Sequence, residues 1–211
     1  FGLTKKTGVD LPGESCGIMF DYKNFHELEQ ATVAFGQGIS VTPLQLVSAI
    51  SACVNGGYLL QPHILKEVLS NNNELVYQTK RKVKRQVIKE ETSKKVRDAL
   101  ESVVTDGGGR NTYIDGYRIG GKTGTAQKAV NGSYVGGGYI LSFVGIAPID
   151  DPQIVLYIAM DNPKNCIQYG GTTVAPIARK MFLDILPALN VKKVKSQRQK
   201  SFSVMDKKTI K

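Results

Sequence analysis

Two apolar runs of strand length, Tyr139 to Ala147 and Gln153 to Met160, are separated only by Pro148-Ile149-Asp150-Asp151-Pro152. So short a link, with a proline at each end, makes them most simply antiparallel neighbours in one sheet. Such a sheet needs a cover. The chain offers one after Gly170-Gly171, where Thr172 or Thr173 is expected to cap a last helix with Pro176 in its first turn. Val174, Ile177, Ala178, Met181, Phe182, Ile185 and Leu186 form its wide apolar stripe, suited to lying on a sheet.

Upstream, Thr42 and Pro43 start a helix through Leu44, Leu46, Val47, Ala49, Ile50 and Val54, which stops at Asn55-Gly56-Gly57. Its spacing predicts burial, Cys53 included. Residues 1–35 read as loops with short pieces, marked by the turn signals Thr7-Gly8 and Pro12-Gly13. Residues 58–88 read as extended, with Ile64 to Leu69 and Glu74 to Gln78 flanking a hairpin turn at Ser70-Asn71-Asn72-Asn73. A second helix is predicted from a cap at Thr92 or Ser93, with Val96, Ala99, Leu100, Val103 and Val104 at helical spacing, ending at Gly107-Gly108-Gly109. The fold class is therefore α/β-mixed, of the α+β type: an antiparallel sheet of at least three strands covered by helices.

Composition excludes several classes. At 211 residues the chain can build a real core. No apolar run approaches the ~20 residues that span a bilayer, so no membrane segment is read here. The N-terminal residues show no signal peptide, and a start on Phe1 reads as a piece of something longer. The net charge of +10 is concentrated in residues 80–95 and 191–211, with the basic end poor in aromatics. That pattern fits solvated segments and no nucleic-acid partner. Cys16, Cys53 and Cys166 are scattered, and His26 and His63 have no ligand cluster near them. No metal or disulfide framework is implied, and the histidines read as surface or capping residues.

The chemistry is concentrated in Arg118-Ile119-Gly120-Gly121-Lys122-Thr123-Gly124-Thr125-Ala126-Gln127. Glycines let a ligand approach the main chain, lysine supplies a point charge, and threonine hydroxyls supply short neutral donors. Gly116 to Thr123 formally satisfies the phosphate-loop pattern GxxxxGK[ST], and the run Ile154 to Met160 followed by Asp161 mimics a magnesium-binding strand end. A phosphate loop needs an apolar strand before its first glycine and a helix after its threonine. Residues 109–115 are not such a strand, and Gly124, Gly132 and Gly136-Gly137-Gly138 oppose a long helix. The nucleotide-binding alternative is the weaker one.

The stronger reading starts from Lys122-Thr123-Gly124 as the KTG triplet of serine acyl-transfer enzymes. Phe35-Gly36-Gln37-Gly38 running on to Pro43-Leu44-Gln45, Asn55-Gly56-Gly57, Gly116 to Gln127, Ser142 to Pro148 and Tyr169 to Pro176 follow in order. Together these closely resemble the C-terminal part of the transpeptidase domain of a class B penicillin-binding protein, over residues 1–190. Residues 191–211 read as a basic linker or the start of a further module.

The resemblance implies a β-lactamase/transpeptidase-like fold, incomplete at its N-terminal side. It also implies a D,D-transpeptidase that cross-links peptidoglycan stem peptides through a serine acyl-enzyme. Its partners would be the stem-peptide D-Ala-D-Ala terminus and β-lactams, with no cofactor. The full-length protein would be membrane-anchored on the extracytoplasmic face of a bacterial cell membrane, in a cell-wall synthesis complex. By the same resemblance Lys122 sets a positive potential, and Thr123, Gly124 and Thr125 bind the substrate carboxylate. The Thr125 backbone N–H forms half of the oxyanion hole.

One departure matters. No serine is followed three positions later by lysine, so the SxxK nucleophile is absent from these residues. Ser70-Asn71-Asn72 matches S-x-N only as a string, on the wrong side of the Phe35-Gly38 segment, and reads as a turn. Two explanations compete: a fragment of an active enzyme, or a non-catalytic cell-wall binding module on the same fold.

Overall fold

The structure is a computed structural model that describes residues 1–19, 21, 23, 25–128, 134 and 138–194. The expected basic segment 191–211 therefore lies mostly outside the described residues. The chain divides into two compact units, Phe1–Val96 and Arg97–Lys211.

In the first unit, α1 (Glu27–Ala34) is a two-turn helix within residues read as loops with short pieces. Its eight residues bury no side chain, which is why no apolar periodicity announced it. His26 is its N-cap residue and is exposed, as a capping histidine should be. Helix α2 (Pro43–Val54) begins as expected: Thr42 Oγ1 accepts from the Gln45 N–H, and Gln45 Oε1 accepts from the Thr42 N–H. The Gln45 side chain is 1% exposed, and its Nε2 also donates to the Lys5 carbonyl. Burial along α2 differs from the expectation. Ala49, Ala52 and Val54 are buried, whereas Leu44, Leu46, Val47, Ile50 and Cys53 are only partly so.

The end of α2 is built by glycine. Gly56 and Gly57 have φ of 92° and 97°, and a Cβ on Gly57 would lie 1.9 Å from the Ile88 carbonyl oxygen. Strand β1 (Tyr58–Leu60) then pairs antiparallel with β4 (Val83–Gln86), and β2 (Glu67–Leu69) with β3 (Leu75–Gln78). Between β2 and β3, Ser70 Oγ accepts from the Asn72 and Glu74 N–H groups and Asn73 adopts φ of 61°. Ser70 is a turn residue.

Helix α3 (Glu90–Thr105) runs through the boundary between the units. It starts before the expected cap at Thr92 or Ser93. Ser93 lies in its first turn, fully buried, and its Oγ accepts from the Gly56 N–H. The hydroxyl thus completes the C-terminal turn of α2 instead of capping its own helix. Val104 is buried near the end of α3, whereas Ala99 is exposed.

The second unit holds the sheet. Strands β5 (Gly120–Gln127), β6 (Tyr139–Ala147) and β7 (Ile154–Asp161) pair antiparallel in that order. Leu141, Phe143 and Ala147 of β6 point one way, as period-2 alternation requires, and are fully buried. A short helix α4 (Gly170–Thr173) precedes α5 (Ala175–Ala188). Val174, Ala175, Ala178, Phe182 and Leu186 of this region are fully buried and share one core with β6.

The predicted stripe is wider than the observed one: Ile177 and Met181 are both 38% exposed. The threonine cap is also corrected. Thr172 and Thr173 form the body of α4, and the Thr173 hydroxyl donates to the Ile167 carbonyl. A Cβ on Gly145 would meet the Phe182 ring at 2.6 Å, so glycine on β6 is what lets α5 lie close to the sheet.

Candidate active site

All four residues singled out from the sequence, Lys122, Thr123, Gly124 and Thr125, lie on β5. Strand β5 pairs with β6 on one edge and with no strand on the other among the described residues. The direction of its backbone groups follows from two hydrogen bonds. The Lys128 N–H donates to the Gly138 carbonyl, and the Arg118 carbonyl accepts from the Ile149 N–H. Even-numbered residues therefore bond toward β6. Backbone groups of Gly121, Thr123, Thr125 and Gln127 are left facing the open edge. The Thr125 N–H is thus an outward-facing donor, and the Thr123 carbonyl beside it accepts from Lys122 Nζ at 2.7 Å.

Side-chain alternation separates these residues further. Lys122 is exposed on one face. Thr123 and Thr125 lie on the other, opposite Phe143 and Leu141 in register. Gly124 pairs with Ser142, and a Cβ on it would stand 2.3 Å from Ser142 Oγ. Glycine is needed there because Ser142 already fills the space. Ser142 also hydrogen-bonds the Tyr157 phenol, which lowers that group, while burial, the larger effect, raises it above its ordinary value.

Helix α4 lies against the same strands. The Gly170 N–H donates to Thr125 Oγ1 at 3.3 Å, and a Cβ on Gly170 would come within 2.6 Å of the Gly124 and Ser142 carbonyls. Beside Thr123 opens a cavity of about 410 Å³, lined among others by Gly108, Arg110, Asn111, Tyr169 and Gly171. A methyl group on Gly108 would sit 3.1 Å from the Tyr169 hydroxyl and 3.9 Å from Thr123 Oγ1. Asn111 Nδ2 donates to the Gly171 carbonyl and ties the cavity's two walls together.

The glycines expected to end α3 and to precede the last helix meet here: Gly107 and Gly108 form one wall of this cavity and Gly171 part of the other. Paired glycines flanked by Tyr169 and Asn111 were the available signal, and nothing in one-dimensional spacing joins residues 108 and 169.

The start of β5 is fastened electrostatically. Arg118 Nε and Nη2 bind both carboxylate oxygens of Glu101 at 2.7 and 2.5 Å, and Nη1 reaches Asp150. The Glu101 carboxylate, with Asp150 second, holds the guanidinium pKa above its already high value. This fork ties α3 and the β6–β7 link to Arg118, two residues before the strand.

The geometry disposes of the phosphate-loop pattern. Lys122 and Thr123 sit in the middle of a strand, and the backbone continues as strand to Gln127. No helix N-terminus faces them from residues 124–128, so the amide cradle of a phosphate loop is not formed there.

Lys-Thr-Gly-Thr on the open edge of an antiparallel sheet covered by a C-terminal helix is the arrangement of the β-lactamase/transpeptidase fold. A family model described as penicillin binding protein transpeptidase domain matches residues 1–183, and the chain belongs to that family, in its class B branch.

Among particular relatives, it is 52% identical to stage V sporulation protein D of Bacillus subtilis over 211 residues, all of this chain and 33% of that protein. It is 33% identical to the probable peptidoglycan D,D-transpeptidase PenA of Neisseria flavescens, over 92% of this chain and 46% of that one. The chain thus spans between a third and a half of these relatives. Solved structures agree. Penicillin-binding protein 3 of Mycobacterium tuberculosis, complexed with ampicillin, superposes with a TM-score of 0.83 at 31% identity, covering 93% of this chain and 45% of that one. The apo transpeptidase domain of Burkholderia pseudomallei penicillin-binding protein 3 gives 0.78 at 36% identity, covering 91% and 56%.

Proposed function

We propose that these residues form the KTG side of a D,D-transpeptidase that cross-links peptidoglycan stem peptides through a serine acyl-enzyme. The observation that carries this reading is the open edge of β5, where the Thr125 N–H faces outward beside Thr123 and Lys122. In the proposed reaction a serine outside these 211 residues attacks the penultimate D-Ala carbonyl, and D-Ala leaves as an amine. An amino group of a neighbouring stem peptide then attacks the ester and frees the serine. The Thr125 N–H donates to the oxyanion that develops at the attacked carbonyl. Thr123 and Thr125 hydroxyls, with the Lys122 charge, hold the terminal carboxylate, and Gly124 keeps β5 flat against Ser142 so that these donors stay aligned. A β-lactam enters by the same route and stalls at the acyl stage.

We further propose that residues 1–190 are one part of a longer transpeptidase domain and that 191–211 lead away from it. The longer protein would be anchored outside a bacterial cell membrane in a cell-wall synthesis complex. None of the described helices is long and apolar enough to cross a membrane.

The test is intact-mass analysis of the native gene product and of these 211 residues after incubation with penicillin. A one-to-one adduct on the longer form alone supports the proposal. Adduct on the 211-residue chain would overturn the assignment of the nucleophile to other residues. No adduct on either, with saturable binding of peptidoglycan fragments, would support the non-catalytic binding module instead.

A further inference from the structure

The first unit contains a surface that the acyl-transfer reading does not use. Strand β3 is exposed at all four residues, with Leu75, Val76 and Tyr77 at 57%, 66% and 51%. Its partner β2 covers one edge only, and no strand covers the other among the described residues. The Thr79 N–H donates to the Lys66 carbonyl, so Thr79, and by alternation Tyr77, bond toward β2. The backbone groups of Gln78 therefore point to the open edge; on the other side of a bulge at Val76 the Ser70 N–H donates to the Glu74 carbonyl, so those of Leu75 point there too.

That edge borders a groove of about 730 Å³. The groove lies between Asp10, the segment Gln61–His63 and the residues from Val76 to Lys82. Its charge is one-sided. Lys80, Arg81 and Lys82 line it, and residues 79–86 contain five basic side chains and no acidic one. Arg81 stacks over the Tyr58 ring, with its Cζ 5.8 Å from the centroid. Asp10 is the acidic lining residue, and its two carboxylate oxygens are taken by the Ile64 and Leu65 N–H groups at 2.7 and 2.9 Å. The cations are thus the charges the groove presents to a partner.

We propose that this groove docks an extended acidic polypeptide segment, which adds to β3 as a third strand. Open backbone donors and acceptors on an apolar edge would be an aggregation hazard unless covered, and strand addition covers them. The exposed Leu75, Val76 and Tyr77 supply side-chain contacts. Lys80 and Lys82 at the end of the edge select carboxylates. The strand itself offers the four residues Leu75–Gln78, roughly 13 Å of edge at ~3.3 Å per residue.

The experiment measures fluorescence anisotropy of a labelled peptide of alternating valine and glutamate, titrated with the native gene product. Its controls are a valine–lysine peptide and a valine–glutamate peptide N-methylated on alternate residues. The acidic peptide is expected to bind and both controls to fail, with amide hydrogen exchange slowed at Leu75 and Gln78. Lys80→Glu with Lys82→Glu should weaken binding by about tenfold or more, since like charges then face each other. Gln78→Pro should weaken it comparably with an unchanged circular dichroism spectrum, because the lost N–H faces the open edge and makes no bond to β2.

Failure of the acidic peptide to bind overturns the proposal. Equal binding by the N-methylated peptide or by the Gln78→Pro variant overturns strand addition. Capture by phosphatidylglycerol vesicles without peptide binding would assign the surface to an anionic membrane instead.

Discussion

The two units bury their residues in opposite styles. In residues 97–194 a continuous apolar core holds Leu141, Phe143, Val174, Ala178, Phe182 and Leu186 without solvent exposure. In residues 1–96 the buried apolar side chains are small or few, Ala49, Ala52, Val54 and Leu59, and order comes from polar pins. Gln45 bonds Thr42 and Lys5, Ser93 completes the end of α2, and Glu14 accepts from the Thr7 and Gly8 N–H groups. The proposed acyl-transfer residues sit on the close-packed side of that difference. A close-packed sheet holds donors to a fraction of an ångström, whereas a unit pinned by polar contacts leaves strand edges and apolar side chains free for a partner.

Core truncation should separate the units most. Phe143→Ala is expected to cost about 3–5 kcal/mol, whereas Leu75→Ser on the exposed hairpin should stay within about 0.5 kcal/mol. Urea unfolding followed by circular dichroism compares the two directly. Equal losses would contradict the contrast.

A polar pin should matter less than a core ring but more than a surface contact. Gln45→Ala leaves the Lys5 carbonyl and Thr42 N–H without their partner and should cost about 1–3 kcal/mol. Hydrogen exchange should show the loss in residues 1–96 with little change at β6. Faster exchange throughout β6 would mean that the pin also supports the second unit.

The site glycine should fall in a similar or lower range. Gly124→Ala forces Ser142 Oγ aside and is expected to cost about 1–3 kcal/mol. In a Ser142→Gly background most of that penalty should vanish, a coupling that a thermal-melt double-mutant cycle measures. An unchanged penalty would place the constraint elsewhere, with the nearby Gly170 turn the next suspect.

Acid should affect the pinned unit in a defined window, and more weakly. Thr7 and Gly8 donors hold Glu14 below its ordinary pKa of 4.5, and the Ile64 and Leu65 N–H groups hold Asp10 below 3.8. A depressed carboxylate contributes stability that is present above its unfolded-state pKa and lost as pH falls through the folded one. Residues 1–15 should therefore loosen below the ordinary values of 4.5 and 3.8, in hydrogen exchange or proteolysis. Glu14→Gln should abolish most of that pH dependence. Loosening on the alkaline side would have the wrong sign for this mechanism.

Much of the architecture was legible in residue order. Alternating apolar runs marked β6 and β7 nearly to the residue, Thr42-Pro43 marked the start of α2, and Ser70 to Asn73 marked the hairpin turn. Those signals are local, set by period-2 burial, proline geometry and side-chain to backbone bonds. Signals failed where a residue served a distant segment. Ser93 looked like a cap for its own helix yet bonds Gly56, and Ile177 and Met181 fitted an apolar stripe yet stand 38% exposed.

By itself the sequence determined the helices α2, α3 and α5, the strands β6 and β7, the family, and the identity of Lys122, Thr123, Gly124 and Thr125 as the residues to watch. Their chemistry is written in residue type and spacing. Only the tertiary structure decided which backbone groups of β5 face outward, that Ser142 is what excludes a side chain at Gly124, and that Tyr169 and Gly108 meet beside Thr123. Direction and proximity across 61 positions of chain arise from register and packing, which no local pattern of residues encodes.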